Sequence, residues 1–169
     1  RLIRLSTQQK ERLAAIVRHP VVGFLMGLAV KVSVARHRAG VTMVCFDHDD
    51  RILLLRHVFH PATPWDLPGG WLDAKESPAE CALRELREET GLTAEIGQVI
   101  GITREPRPAH LVITYMARLA ATRPETVLSS EILEAAWFAA DDLPKRLRPS
   151  TRLAIGAAVE KLPSWPTTE

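Results

Sequence analysis

The sequence predicts a mixed α/β domain rather than a regular βαβ array, and three observations lead there. Strand-like runs come first, then one sharply bounded helix, then two further strand-like runs and closing helices. The apolar runs "VTMVCF" and "RILLLRH" flank the polar turn "DHDD", which is the pattern of a β-hairpin. Ser77, Pro78, Glu80 and Gly91 mark the start and stop of a single helix.

Composition agrees with a folded domain. The chain has 169 residues, 46% hydrophobic and 25% charged, enough to build a core and far from the make-up of a disordered chain. Residues 1–40 carry eight Lys/Arg against one acid, Glu11, a net +7, which leaves −5 on the rest of a chain of net +2. That basic end suits nucleic acid or an anionic membrane surface, while a solvated helix face is the stronger reading. Stable nucleic-acid binding is not expected; weak membrane-surface contact and homodimerisation are roles open to residues 1–38. Two cysteines, Cys45 and Cys81, form neither a disulfide framework nor a C-x-x-C pair, so a reducing cytoplasm is expected. The apolar run 21–30 is too short to span a bilayer; with Ser33-Val34-Ala35 behind it, a signal peptide is a minor alternative.

Taken in order, residues 5–18 are loosely amphipathic and predict a helix that ends before Pro20, because the residue ahead of a proline leaves the helical region. Residues 21–38 fit helix or strand. The hairpin follows, then "PATPWDLPGG", a loop with a short strand at most. In the helix after it, Ser77 is the N-cap, Pro78 the first helical residue and Glu80 the capping-box partner; Ala79, Ala82, Leu83 and Leu86 form the apolar face. "LTAEIGQVIGITRE" and "HLVITYMARLA" predict strands, "RPETVLSSEILEAA" a loop, and "WFAA" a short segment. "DDLPKRL" and "STRLAIGAAVEKL" predict closing helices, the second capped by Ser150 or Thr151. The expected organisation is a basic helical extension over 1–38, a domain over 39–162 and a tail over 163–169.

The central helix carries an electrostatic conflict. Glu85, Glu88 and Glu89 fall at i, i+3 and i+4, within roughly a 100° arc of one side, where like charges repel. Glu88 and Glu89 also lie in the last turn, where the helix dipole disfavours anions. A solvated acidic face is one reading. A divalent-cation site is the other, since hard carboxylate oxygens suit Mg²⁺ or Mn²⁺ and shared coordination turns the repulsion into binding.

The surrounding residues favour the second. From Gly70 the chain runs five residues to Glu76, seven more to Arg84, then Glu85, Leu86, Arg87, Glu88, Glu89, Thr90, Gly91 and Leu92. This resembles, without a mismatch, the signature of the Nudix hydrolases, G-x5-E-x7-R-E-U-x-E-E-x-G-U with U a bulky aliphatic. The signature covers residues 70–92; with the hairpin, "WDLPGG" and "WF…DDLP", the likeness extends over about residues 40–160. It implies a mixed sheet sandwiched between helices. It further implies a pyrophosphohydrolase that uses Mg²⁺ or Mn²⁺ to cut a nucleoside diphosphate linked to another group, ADP-ribose or a nucleotide sugar slightly favoured. A nucleoside-triphosphate pyrophosphatase of the nucleotide-sanitising kind and a catalytically silent binding module are the alternatives.

By the same resemblance Glu85, Glu88 and Glu89 match metal ligands, with the Gly70 carbonyl joining them, and Arg84 pairs with Glu76. Arg84 is also i, i+4 from Glu88 and can hold that carboxylate. The general base varies in the family; Glu131 is preferred over Glu134, with Glu105 and Glu125 as outsiders. Trp71 is a candidate to stack on a base, although Trp65 and Trp71 also suit packing. Arg56 and Arg104 are candidates for substrate phosphate, with Arg107 beside them. His57 and His60 lack partners for a zinc site. Cys81 lies on the acidic side of the helix, either lining the site or packing beneath a loop. Pro108 offers a weak hint of ADP-ribose hydrolysis.

Overall fold

The structure is a computed structural model describing residues 6–8, 11, 16, 18–33, 38–59, 62–106, 108–120 and 125–165. The chain divides into two compact units, Arg1–Arg36 and His37–Glu169.

In the first unit, α1 spans Pro20–Ser33, which resolves the helix-or-strand ambiguity of the apolar run in favour of helix. Its proline opens the helix, where a missing N–H leaves no bond unmade. Of the helix expected over 5–18, residues 7, 8, 11 and 16 are helical and most of the others lie outside the described residues.

The second unit is built on a seven-stranded mixed sheet. Its strands are β1 (Arg38–Phe46), β2 (Ile52–His57), β3 (Trp65–Asp66), β4 (Gly69–Trp71), β5 (Ala94–Pro106), β6 (Ala109–Leu119) and β7 (Ile132–Phe138). Two helices accompany them: α2 (Pro78–Thr90) between β4 and β5, and α3 (Pro149–Lys161) after β7. The expected mixed sheet between helices is therefore present.

Alternation along the strands assigns the faces, because successive side chains point to opposite sides. Val41, Met43 and Cys45 of β1 and Leu53 and Leu55 of β2 pack with Cys81, Ala82 and Leu86 of α2. Val44 and Phe46 of β1 and Ile52 and Leu54 of β2 pack with Ile155 and Ala158 of α3 on the other face. Trp165, expected in a tail, joins this second cluster, and Gly97 leaves room for its ring.

The hairpin forms as expected, but its arms diverge. β1 meets β2 at Phe46↔Ile52. Further along, β4 pairs with β1 at Gly40–Thr42 and β3 pairs with β2 at Leu55–Arg56. The "WDLPGG" segment is thus wedged between the arms, and this brings Gly69 and Gly70 to the middle of the sheet. On the far side β1 runs parallel to β6 over its whole length, from Arg38↔His110 to Phe46↔Arg118.

Three expectations are corrected. Residues from Ile132 onward are strand β7, not loop, because β2 offers a free edge and pairs from Ile52↔Phe138 to His57↔Ile132. Glu134 therefore lies on a strand. "DDLPKRL" forms no helix: Pro144 removes a donor and restricts Leu143, and a turn closed by Asp142 N–H to Ala139 O takes its place. α3 begins at Pro149 behind Arg148, and neither Ser150 nor Thr151 caps it; the Thr151 hydroxyl donates instead to Asp66 Oδ1 at 2.6 Å.

Candidate active site

Helix α2 is held in place by its own ends. Ser77 accepts from Glu80 N–H, Glu80 accepts from Ser77 N–H, and Gly91 closes the helix in the left-handed region at φ 71°, donating to Arg87 O. Such a capping box satisfies two of the orphan donors of the first turn. Cys81, Ala82, Leu86 and Thr90 are buried against the sheet, so the acidic side faces away from the core towards β4. The Cys81 thiol donates to Trp71 O at 3.4 Å, so it packs beneath the 71–76 loop, where burial pushes it up to about 12.

Arg84 organises the carboxylates. It donates twice to Glu76, from Nε at 2.9 Å and Nη2 at 2.7 Å, and from Nη1 to Glu85 at 2.9 Å and Glu88 at 3.0 Å. A further bond goes to Trp71 O at 3.2 Å, tying the guanidinium to the loop after β4. The Arg84 bonds, with the Asp73 N–H, hold Glu76 down at about 2. Glu85 is raised from the ordinary carboxylate value, first by burial and then by Glu88 and Glu76, with Arg84 opposing.

Glu89 is the most perturbed acid. Burial pushes it up to about 8; the Gly69 N–H, donating to its Oε2 at 3.1 Å, opposes this, while Glu85, Glu131 and Asp66 add to it. The last turn of α2 also carries the segment that delivers Glu131. Val127 N–H donates to Thr90 O and Ser129 N–H to Glu89 O, and the backbone then turns into β7. Glu131 is exposed and close enough to Glu89 to raise its pKa.

The two glycines of β4 divide the site. A Cβ on Gly70 would fall on the Glu85 carboxylate, and one on Gly69 would strike Val41 O and the Thr42 backbone. On the opposite face lies a cavity of about 340 Å³, bounded by Gly69 and Gly70, by Gly40, Thr42, Val112 and Thr114 of the sheet, and by Ser150, Thr151 and Ala154 of α3. Trp71 lines its rim at 44% exposure, its ring 4.7 Å from that of His110 and the Arg38 guanidinium 5.7 Å from its centroid. Trp65 instead packs edge-on to Phe138 at 5.1 Å.

The remaining sequence candidates fall elsewhere. Arg56 does not line the cavity; its Nε donates to Glu134 at 2.9 Å across the β2–β7 pair. Arg104 is exposed on β5 and also does not line the cavity, whereas its neighbours Thr103 and Glu105 do. Strand alternation sends Arg104 to the other side. Sequence reasoning missed Gly69, His110, Arg38 and the cavity role of Glu105. Only the double glycine of "WDLPGG" carried a local signal for any of them; the others depend on pairing between distant strands. His60 and Arg107 lie outside the described residues.

Among the described residues, no three acidic, histidine or thiol groups converge as a preformed cation cage. The reason is visible in the bonds above: Arg84 draws in Glu85 and Glu88, and Gly69 holds Glu89. The donor chemistry nevertheless fits a hard dication. Three carboxylates share one helix side, Glu89 is partly buried at a raised pKa, and Gly70 has no side chain where Glu85 approaches.

Fold and site together define a mixed-sheet domain in which an acidic loop–helix–loop borders a cavity. A family model described as the NUDIX domain matches residues 36–155, and the chain belongs to that family. The NAD-capped RNA hydrolase NudC of Mycobacterium tuberculosis is 33% identical over 108 residues, covering 63% of this chain and 34% of that protein. The chain thus spans about a third of the length of these curated relatives. Among solved structures, an ADP-ribose pyrophosphatase from Streptococcus suis is 27% identical with a TM-score of 0.62, covering 79% of this chain and 96% of that one. The MutT protein from Methanosarcina mazei Go1 is 25% identical with a TM-score of 0.64, covering 77% and 99%.

Proposed function

We propose that the chain is a Mg²⁺- or Mn²⁺-dependent pyrophosphohydrolase acting on a nucleoside diphosphate joined to another group, with ADP-ribose and nucleotide sugars slightly favoured. One observation carries this reading: Gly69 and Gly70 bound the cavity while bordering Glu89 and Glu85 on its far side. A nucleoside held in the cavity would lay its phosphates across two residues without side chains, towards the carboxylates. Glu85, Glu88, Glu89 and the Gly70 carbonyl would hold the dication. When bound, it would neutralise phosphate charge and acidify the attacking water.

The chain's own residues supply the rest of the proposed chemistry. Arg84 orients Glu85 and Glu88 and ties them to the loop through Glu76 and Trp71 O. Glu131 takes the proton from water, supported by its nearness to Glu89; Glu134 is engaged with Arg56. Trp71 offers a ring at the cavity rim for the base. Arg56 and Arg104 do not line the cavity; contact with substrate phosphate outside it stays the proposal for both, tested by Arg56→Gln and Arg104→Gln in the nucleotide assay.

The free thiols of Cys45 and Cys81 support a cytoplasmic setting. No helix among the described residues is long and apolar enough to cross a membrane. For residues 1–38, weak contact with anionic membranes and homodimerisation are the proposed roles, tested by vesicle sedimentation and light scattering.

The decisive experiment is a nucleotide panel with Mg²⁺ or Mn²⁺ and products identified by phosphorus NMR. Two monophosphates are expected. Monophosphate plus pyrophosphate would identify the triphosphate-cleaving alternative, and a Glu88→Gln variant as fast as the parent would end the catalytic assignment of α2.

A further inference from the structure

We propose that Glu105 sets nucleoside specificity by accepting a vicinal pair of hydrogen-bond donors at the cavity rim; this rests on the nucleotide reading above. Several polar groups facing the cavity are already engaged. Thr42 and Thr114 bond to each other at 3.0 Å. Asp66 accepts from Thr151 and from Leu67 N–H and pairs with Arg148 Nε at 3.3 Å, so its carboxylate is engaged while that guanidinium keeps further N–H donors. His110 donates from Nδ1 to Pro108 O at 2.5 Å, so that ring nitrogen is engaged.

Glu105 is different. It lines the cavity on β5, opposite His110 in the β5–β6 ladder, and its carboxylate makes no ion pair or hydrogen bond with any described residue. An ionised carboxylate only accepts, through two parallel oxygens. Glu105 thus offers two acceptor oxygens to the cavity, and a ligand group that meets it must bring the donors.

The cavity floor has room for a flat ring. Gly40 and Gly101 both line it; at Gly101 nothing lies within 4 Å of where a Cβ would be, and at Gly40 the nearest atoms stand at 3.4 Å. The paired rings of Trp71 and His110 form one wall. A base lying there turns its edge or its sugar to Glu105. Two ligand features offer adjacent donors with carboxylate spacing: the ring N–H and amino group of a guanine-type base, and the 2′,3′-diol of ribose. Adenine's edge offers an amino group beside an acceptor and matches less well.

Metal-free binding separates these sources from each other and from catalysis. GMP, AMP and 2′-deoxy-AMP are titrated into the full chain, followed by calorimetry and tryptophan fluorescence. A preference for GMP over AMP of about tenfold or more assigns the base edge; the same preference for AMP over 2′-deoxy-AMP assigns the diol. In Glu105→Gln, which exchanges an acceptor for a donor at equal size, the preference collapses to within about twofold. Unchanged circular dichroism and melting temperature show that this variant is folded; Glu105→Asp, which keeps the charge, retains the direction of the preference. The proposal is overturned if the parent shows neither preference, or if Glu105→Gln keeps it. A parent that hydrolyses nucleotides yet fails this test sinks the Glu105 assignment alone, whereas one that neither binds nor hydrolyses any nucleotide sinks the functional reading too.

Discussion

The Glu85 carboxylate occupies the place where a side chain on Gly70 would begin. The contact spans two elements, β4 and α2, and it places an acid beside a bare stretch of backbone. The atoms met are the far end of a flexible side chain, so Gly70→Ala should fold, with a change in melting temperature of a few degrees, while displacing Glu85. Mn²⁺ affinity should fall about tenfold or more, read by electron paramagnetic resonance. Gly69→Ala meets the backbone of Val41 and Thr42 instead and should destabilise the fold by about 1–3 kcal/mol in chemical denaturation.

Arg84 serves three acids at once, so its loss should be felt through all of them. Arg84→Gln should lower activity or metal affinity by about 10- to 100-fold, as removal of a group that orients ligands does. The Glu76 carboxyl, held at about 2, should return towards its ordinary value. Carboxyl titration by NMR checks that shift independently of turnover.

In the proposed metal site Glu89 would link metal binding to protons. Burial raises it from 4.5 to about 8, so between those values the folded metal-free protein holds a proton that the unfolded chain has released. Its contribution to stability is complete below about pH 4.5 and declines as pH rises towards 8. Glu76 acts oppositely: its contribution is present above 4.5 and is lost as pH falls towards 2. Coordination requires the ionised form, so Mn²⁺ uptake at pH 7 should release about one proton, measured by calorimetry in buffers of different ionisation enthalpy. Glu89→Gln should abolish that release.

Glu131 and Glu134 differ in what surrounds them. Glu131→Gln should reduce kcat about 10²- to 10⁴-fold with little change in KM, the signature of a lost general base. Glu134→Gln breaks an exposed ion pair with Arg56 and should alter stability by less than about 1 kcal/mol, leaving kcat near that of the parent. Equal effects on kcat would remove the distinction.

The amino-acid order alone determined what local forces decide. Ser77, Glu80 and Gly91 cap α2 through bonds between residues three or four apart, and the repulsion among Glu85, Glu88 and Glu89 is a property of helical spacing. The β1–β2 hairpin closes over a short polar turn, so it too was legible. Tertiary structure decided the rest. β7 exists because β2, some 80 residues earlier, presents a free edge, and the stretch that became β7 looked like loop. Gly69 and Gly70 divide carboxylates from cavity only because the hairpin arms diverge around them. Glu105 reaches the cavity through the β5–β6 register, and a one-residue slip would have turned it to the opposite face. Contacts of that range depend on which strands meet, and no window of neighbouring residues records it.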